Sequence, residues 1–181
     1  MEYHIECPDK DYDLILKEYK EIPLTQGKVA LVDEEDYGYL NQWKWYALKY
    51  RNTYYAVRNI PLLNGKQTII KMHREVLKPL KGMHTDHING DGLDNRRDNL
   101  RICDNSQNLK NRKIHRNSTS GYKGVSWYKR DKKWQAQITI NGKSIYLGYF
   151  DTKEEAALAY NTAAKEYFVE FARLNEIRMT N

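Results

Sequence analysis

Apolar and aromatic positions fall into short runs along this chain rather than into long helical stripes. Between residues 22 and 80 the runs VALVD, KWYALKY, TYYAVRNI and QTIIKMHREVL are rich in β-branched and aromatic side chains and are separated by turn-like DYG and NG. That is the pattern of short strands. The segment is expected to be mostly β, with Trp43, Trp45, Tyr46, Tyr54 and Tyr55 in core and cross-strand packing. Further on, KWQAQITI, Asn141-Gly142 and KSIYLGYF read as a hairpin closed by a two-residue turn. Alternation across that turn puts Trp134, Ala136, Ile138, Ile145, Leu147 and Tyr149 on one face, and Lys133, Gln135, Gln137, Thr139, Ser144 and Tyr146 on the other. Thr152-x-x-Glu155 is a capping box, and Ala156, Ala159, Tyr160, Ala163 and Tyr167 follow at helical spacing. Small alanines let such a helix sit close on the apolar sheet face, which leaves the amide-rich face for a partner.

Residues 82 to 113, GMHTDHINGDGLDNRRDNLRICDNSQNLKNRK, change character. A short strand ending near Ile88 meets the turn-rich NGDGLDN, and a second short strand is expected around Leu100 and Ile102. Asp104 with Gln107 three residues on forms another capping box, opening a helix over Asn105 to Lys113. Residues 114 to 120 are polar and basic and suit a linker. The expected division is therefore 1–113, with the strand, loop, strand, helix unit at 82–113, a linker at 114–120 and a second module at 121–175.

Charge sharpens this division. The net charge is +6, yet residues 1 to 80 carry 12 basic and 12 acidic groups, so the whole excess lies in the second half. Residues 110 to 143 hold ten basic residues against the single acid Asp131. Such a local excess recruits polyanions, of which nucleic acid is the commonest. No run approaches the ~18 apolar residues of a membrane span, and the first residues lack a basic segment followed by an apolar one, so a soluble intracellular protein is expected. Cys7 and Cys103 lie far apart and outside any CxxC pair, which argues against a disulfide framework or a zinc ribbon and for ordinary reduced thiols.

Phosphodiester hydrolysis needs an activated water, a cation near the developing charge and groups that hold both in line. Asp86 offers a carboxylate oxygen, Asn108 an amide oxygen and His87 an imidazole that accepts a proton near neutral pH. Two hard oxygen ligands leave room for water and phosphate, which favours a divalent ion such as Mg²⁺, or Mn²⁺, over a closed zinc site. Neighbours on a regular strand point to opposite faces, so the backbone is expected to bend or end its strand near Asp86 and His87. Arg96, Arg97, Arg101, Lys110, Arg112, Lys113 and Arg116 are candidates for phosphate contact beside the site. His84 is a weaker candidate for substrate contact, and His73 reads as structural.

Asp86-His87-Ile88-Asn89-Gly90-Asp91-Gly92-Leu93-Asp94-Asn95, then Asn99-Leu100 and Gln107-Asn108, resembles the ββα-metal motif of HNH endonucleases in their phage and intron homing variety. The spacing agrees, with Asn99 twelve residues after His87 and Asn108 nine after Asn99. The resemblance implies His87 as general base, Asn99 as a brace for its loop, and Asp86 and Asn108 as metal ligands. Asn108 stands where the family's name implies histidine.

Residues 121 to 174 resemble the plant APETALA/ethylene-response-factor domain through Gly121-Tyr122-Lys123-Gly124-Val125, Lys133-Trp134, Tyr146-Leu147-Gly148, Phe150-Asp151-Thr152, Glu154-Glu155-Ala156-Ala157, Ala159-Tyr160 and Leu174-Asn175. The likeness implies a three-stranded antiparallel sheet read into the major groove of duplex DNA with one helix packed behind. Lys123, Lys133, Gln137 and Tyr146 fall at its groove or phosphate positions, and Gln135 shares their face. Ser126 and Thr139 stand where plant domains carry arginines, so the plant target sequence does not carry over. The expected fold class is α+β. The expected function is a metal-dependent DNA endonuclease, acting as a monomer that nicks or a homodimer that cuts both strands. A DNA-binding regulator with a non-catalytic HNH unit is the first alternative, and an RNA-binding protein the second.

Overall fold

The computed structural model describes residues 18–114 and 117–177, so Cys7 and Arg116 lie outside the described residues. The chain builds two antiparallel sheets before the HNH-like segment. β1 (Tyr19–Pro23) pairs with β2 (Val29–Asp33), helix α1 (Glu34–Leu40) follows, and β3 (Tyr46–Tyr50), β4 (Thr53–Pro61) and β5 (Gln67–Lys71) form a sheet in that order, closed by helix α2 (Met72–Leu77). Ile22, Val32, Leu40, Trp45, Ala56, Met72 and Leu100 meet in one buried cluster, which joins this segment to the unit that follows. The indole nitrogen of buried Trp45 donates to the Leu40 carbonyl at 2.8 Å, which satisfies its polar end.

Two expectations for this region change. DYG is no turn but lies inside α1, whose first turn carries Glu34, Glu35 and Asp36 at the positive end of the helix dipole. QTIIKMHREVL divides at Lys71, because Met72, His73 and Val76 all bury on one side of α2. The helix stops at Lys78, which takes left-handed φ 45° and ψ 55° ahead of Pro79, where a helical conformation is disfavoured.

The central unit has the expected order: β6 (His84–His87), a loop, β7 (Leu100–Cys103) paired antiparallel to β6, and α3 (Asn105–Lys110). Asp104 caps α3 with the reciprocal Gln107 bonds of a capping box, but the helix ends at Lys110 rather than Lys113. The C-terminal sheet runs β10 (Lys143–Phe150), β9 (Lys133–Ile140), β8 (Val125–Tyr128), with α4 (Lys153–Phe168) across it, capped by Thr152 and Glu155 as expected. Ala156, Ala157, Ala163 and Ala164 are buried under the sheet. Gly124 makes the close approach possible: a Cβ there would lie 2.1 Å from the Tyr160 ring and 2.5 Å from the Gln137 carbonyl, and its φ is +71°.

The face assignment changes at one bulge. Tyr146 pairs with Gln137 and Gly148 with Ala136, so Leu147 is the extra residue and the alternation shifts by one. Tyr149 therefore moves to the outer face, opposite Gln135, and Phe150 replaces it in the core. On α4 it is likewise Phe168 that buries, while Tyr167 stays 45% exposed. No helix among the described residues is long and apolar enough to cross a membrane.

Candidate active site and nucleic-acid interface

The loop between β6 and β7 is polar, with Gly92, Asp94, Asn95 and Asn99 buried, and it is braced from several sides. Asn99 accepts from the Asn89 backbone N–H at 3.0 Å and donates to the Asp94 carbonyl at 2.8 Å, tying both ends of the loop to the start of β7. The N-terminal hairpin holds it from outside. Leu31 on β2 donates to the Leu93 carbonyl at 2.9 Å and accepts from Asn95 N–H at 2.8 Å. Thr53 accepts from Gly92 N–H at 3.0 Å, and a Cβ at Gly92 would lie 2.4 Å from the Tyr54 carbonyl, so only glycine fits there. Each contact satisfies a backbone group that burial would otherwise strand. The first β segment thus serves as a scaffold for this loop, a role its own sequence pattern does not reveal.

His87 is the last residue of β6 and is 5% exposed. Its Nε2 lies 3.4 Å from the Asn95 side-chain oxygen, and Asn95 is wholly buried with its amide nitrogen on the Leu93 carbonyl. In the tautomer this contact favours, Nε2 carries the hydrogen and Nδ1 holds the free lone pair. Burial lowers the His87 pKa, against the Asn95 hydrogen bond and the charges of Asp86, Asp91 and Asp94, which raise it. The ring is thereby neutral at neutral pH and keeps a lone pair that can accept a proton. His73 packs edge-on against it at 4.8 Å, and Tyr55 lies 5.8 Å away. His73 is also buried, and burial first, then His87, Lys71 and Arg74, pushes its pKa down to about 2. His84 opens β6, half-buried and opposite Cys103.

β6 ends at His87, as expected, and the buried Asp86 beside it makes its own set of contacts. Its Oδ2 accepts from Arg101 at 2.7 and 3.0 Å and from Asn111 at 2.9 Å. Asn111, 7% exposed, also donates to the carbonyls of His87 (2.9 Å) and Ile88 (3.3 Å), so it grips both residues of the Asp86-His87 pair. Among the described residues Oδ1 of Asp86 accepts no hydrogen bond and the half-buried Asn108 side chain makes none. These oxygens fit a hard divalent cation, the chemistry the donor set allows. Arg101 stands beside them, donating from its third nitrogen to the Glu170 carbonyl and lying 4.3 Å over Phe171, at the 3-10 turn that follows α4. The acidic group Asp33, Glu35 and Asp36 lies elsewhere and is bound by Arg97.

The basic candidates divide into two sets. Arg96 makes two 2.8 Å bonds to Asp94, Arg97 bonds Asp36 at 2.7 and 2.8 Å, Arg101 holds Asp86 and Lys133 pairs with Asp151. Phosphate contact by these four would require sharing donors already engaged. Lys110, Arg112, Lys113 and Lys123 form no ion pair among the described residues. Lys123 is not on the open sheet face: its ammonium donates to the Lys110 carbonyl at 2.8 Å. The outer face carries Ser126, Gln135, Gln137, Thr139, Ser144 and Tyr146, joined by Tyr128 and Tyr149, which stack at 5.0 Å. Asn95, Asn111 and Tyr149 were not marked out by spacing. Asn95 lay inside the motif, and the spare asparagine of QNLKN was a signal for Asn111.

Fold and site define a class, an HNH unit joined to a sheet-based module. A family model described as HNH endonuclease matches residues 78–110, and one described as AP2 domain matches residues 120–168. The chain belongs to the family of Protein 3.8 of Escherichia phage T7, to which it is 38% identical over 93 residues, 51% of this chain and 76% of that protein. It is 28% identical over 152 residues to an HNH endonuclease of Acanthamoeba polyphaga mimivirus, covering 84% of this chain and 77% of that protein. It is also 43% identical over 58 residues to an AP2-like ethylene-responsive transcription factor of Arabidopsis thaliana, of which it spans only 12%. Together these similarities point to a nuclease with DNA as its partner, and HNH nucleases generally use a divalent metal.

Proposed function

We propose that this protein is a DNA endonuclease in which the β6, β7, α3 unit hydrolyses one strand per active site while the C-terminal sheet holds the duplex. The observation that carries this reading is the buried, neutral His87 at the end of β6, held on a loop that Asn99 pins at both ends. His87 takes the proton of the attacking water, and the Asn95 contact fixes its ring. Asp86 and Asn108 would hold a divalent ion, Mg²⁺ or Mn²⁺, which when bound supplies positive charge for the phosphate and the leaving 3′ oxygen. Asn99 positions rather than reacts. Gln135, Gln137 and Tyr146 face the groove and Lys110, Arg112 and Lys113 the phosphates. One site per chain makes a nick the product of a monomer.

One observation favours a second reading, a DNA-binding regulator whose HNH unit does no chemistry: Asp86 already has a guanidinium 2.7 Å away. Incubating supercoiled plasmid with purified protein and Mg²⁺ decides between them. The endonuclease reading expects relaxed circles that a chelator prevents. Intact supercoil at every protein and metal concentration, with duplex still bound, would establish the regulator.

A further inference from the structure

We propose that the junction between the two modules is a binding site for the sugar-phosphate backbone of DNA, formed by Lys110, Arg112, Lys113, Lys123 and Arg173. It rests on the reading of DNA as the partner and adds where the strand runs between the two modules. An open cleft of about 680 Å³ lies between α3 and the C-terminal sheet, bordered by Lys110, Arg112, Lys113 and Lys123, and no Asp or Glu among the described residues lines it. A second cleft of about 440 Å³ on the far side of Lys113 and Lys123 adds Arg173 and Lys153, against one carboxylate, Glu176. None of the five cations forms an ion pair among the described residues. That contrasts with Arg96, Arg97, Arg101 and Lys133, each of which holds a carboxylate.

Gathering like charges without counter-ions is unfavourable, and Lys123 registers the cost. Its ammonium has one carbonyl partner, and burial, then Arg173 and Arg112, pushes its pKa down to about 8. A phosphate in the cleft supplies the missing negative charge. The two ends of the cleft meet the two candidate surfaces. Lys113, which lines both clefts, and Arg173 of the second one close over Gly90, where a Cβ would lie 2.8 Å from each, and Gly90 N–H donates to the His87 carbonyl at 2.9 Å. At the other end the lining reaches Ser126, Gln137 and Thr139 on the outer sheet face. A backbone lying in it runs from the sheet to the loop beside His87, so the junction sets the distance between the bound sequence and the cut.

The test is duplex binding by the full chain in the presence of a chelator, followed by fluorescence anisotropy over a range of NaCl concentrations. Each phosphate contact removed lowers the slope of log K against log salt by about 1. Lys113→Gln/Lys123→Met/Arg173→Gln is expected to lower it by about 2 to 3. Arg112→Gln/Lys113→Gln, both on exposed positions that folding does not need, is expected to lower it by about 1 to 2. Lys165→Gln, on the exposed back of α4, leaves it unchanged. Wild-type affinity falls between pH 7 and 9 as Lys123 loses its charge, and Lys123→Arg removes that fall. Slopes unchanged in both multiple variants, or lowered equally by Lys165→Gln, overturn the junction site while leaving DNA binding intact. A wild-type chain that does not bind duplex overturns the junction and the reading beneath it together.

Discussion

Asp86, His87, Asn95 and Asn99 are each at most 9% exposed, and every one is held by side-chain or backbone partners. On the outer face of the C-terminal sheet, Gln137, Thr139 and Tyr146 stand in solvent, Tyr146 at 52% exposure. Both surfaces are polar, but they solve different problems. A group that moves a proton must keep one geometry, so the residues that position it are buried and hydrogen-bonded. A group that reads a partner must give up water at the moment of contact, so it waits exposed, and its loss leaves the fold intact. The first kind of site is built from long-range contacts and the second from the alternation of a hairpin.

The sharpest way to break this contrast is to remove charge partners from the buried side. Arg101→Met strands Asp86 in a largely buried place and is expected to cost about 3 kcal/mol in denaturant unfolding. Lys133→Met, whose pair with Asp151 is 40% and 79% exposed, should cost no more than about 1 kcal/mol. Equal losses would mean that the two ion pairs are alike. Asn99→Ala frees both ends of the loop and is expected to slow cleavage about 10²-fold while DNA affinity stays within twofold.

His73 offers a pH test of the same burial. Its folded-state pKa of about 2 lies below the usual 6.5, so the unfolded chain binds the extra proton. The contribution of neutral His73 is complete above pH 6.5 and declines as the pH falls, by about 1.4 kcal/mol per pH unit. Between pH 6.5 and 5 the wild type should lose about 2 kcal/mol more than His73→Phe. The smallest effect belongs to the exposed side. Gln137→Ala should weaken duplex binding by about 1 kcal/mol and change unfolding stability by less than about 0.5 kcal/mol.

What could be read from the chain itself follows the same line. Strand, loop, strand, helix at 82–113 and the capping boxes at Asp104 and Thr152 depend on residues three or four positions apart, and each was legible. The partners of the arginines were not. Arg97 meets Asp36 across 61 positions of chain, and no spacing rule predicts that pairing. Asn111 resembles its neighbour Asn108 in type, and only the turn of α3 decides which reaches Asp86. The bulge at Leu147 shifted Tyr149 to the open face because a one-residue slip inverts everything beyond it. The pattern of the early β segment predicts strands but not that its Leu31 and Thr53 brace the loop after His87.

The central claim is that cutting and holding reside in separate surfaces, with His87 serving the first alone. Measuring plasmid nicking and duplex affinity side by side for wild type and His87→Ala tests it most directly. The expected result is a 10² to 10⁴-fold loss of cleavage rate with an unchanged dissociation constant. Cleavage by His87→Ala at the wild-type rate, at equal protein and metal concentrations, would contradict the account.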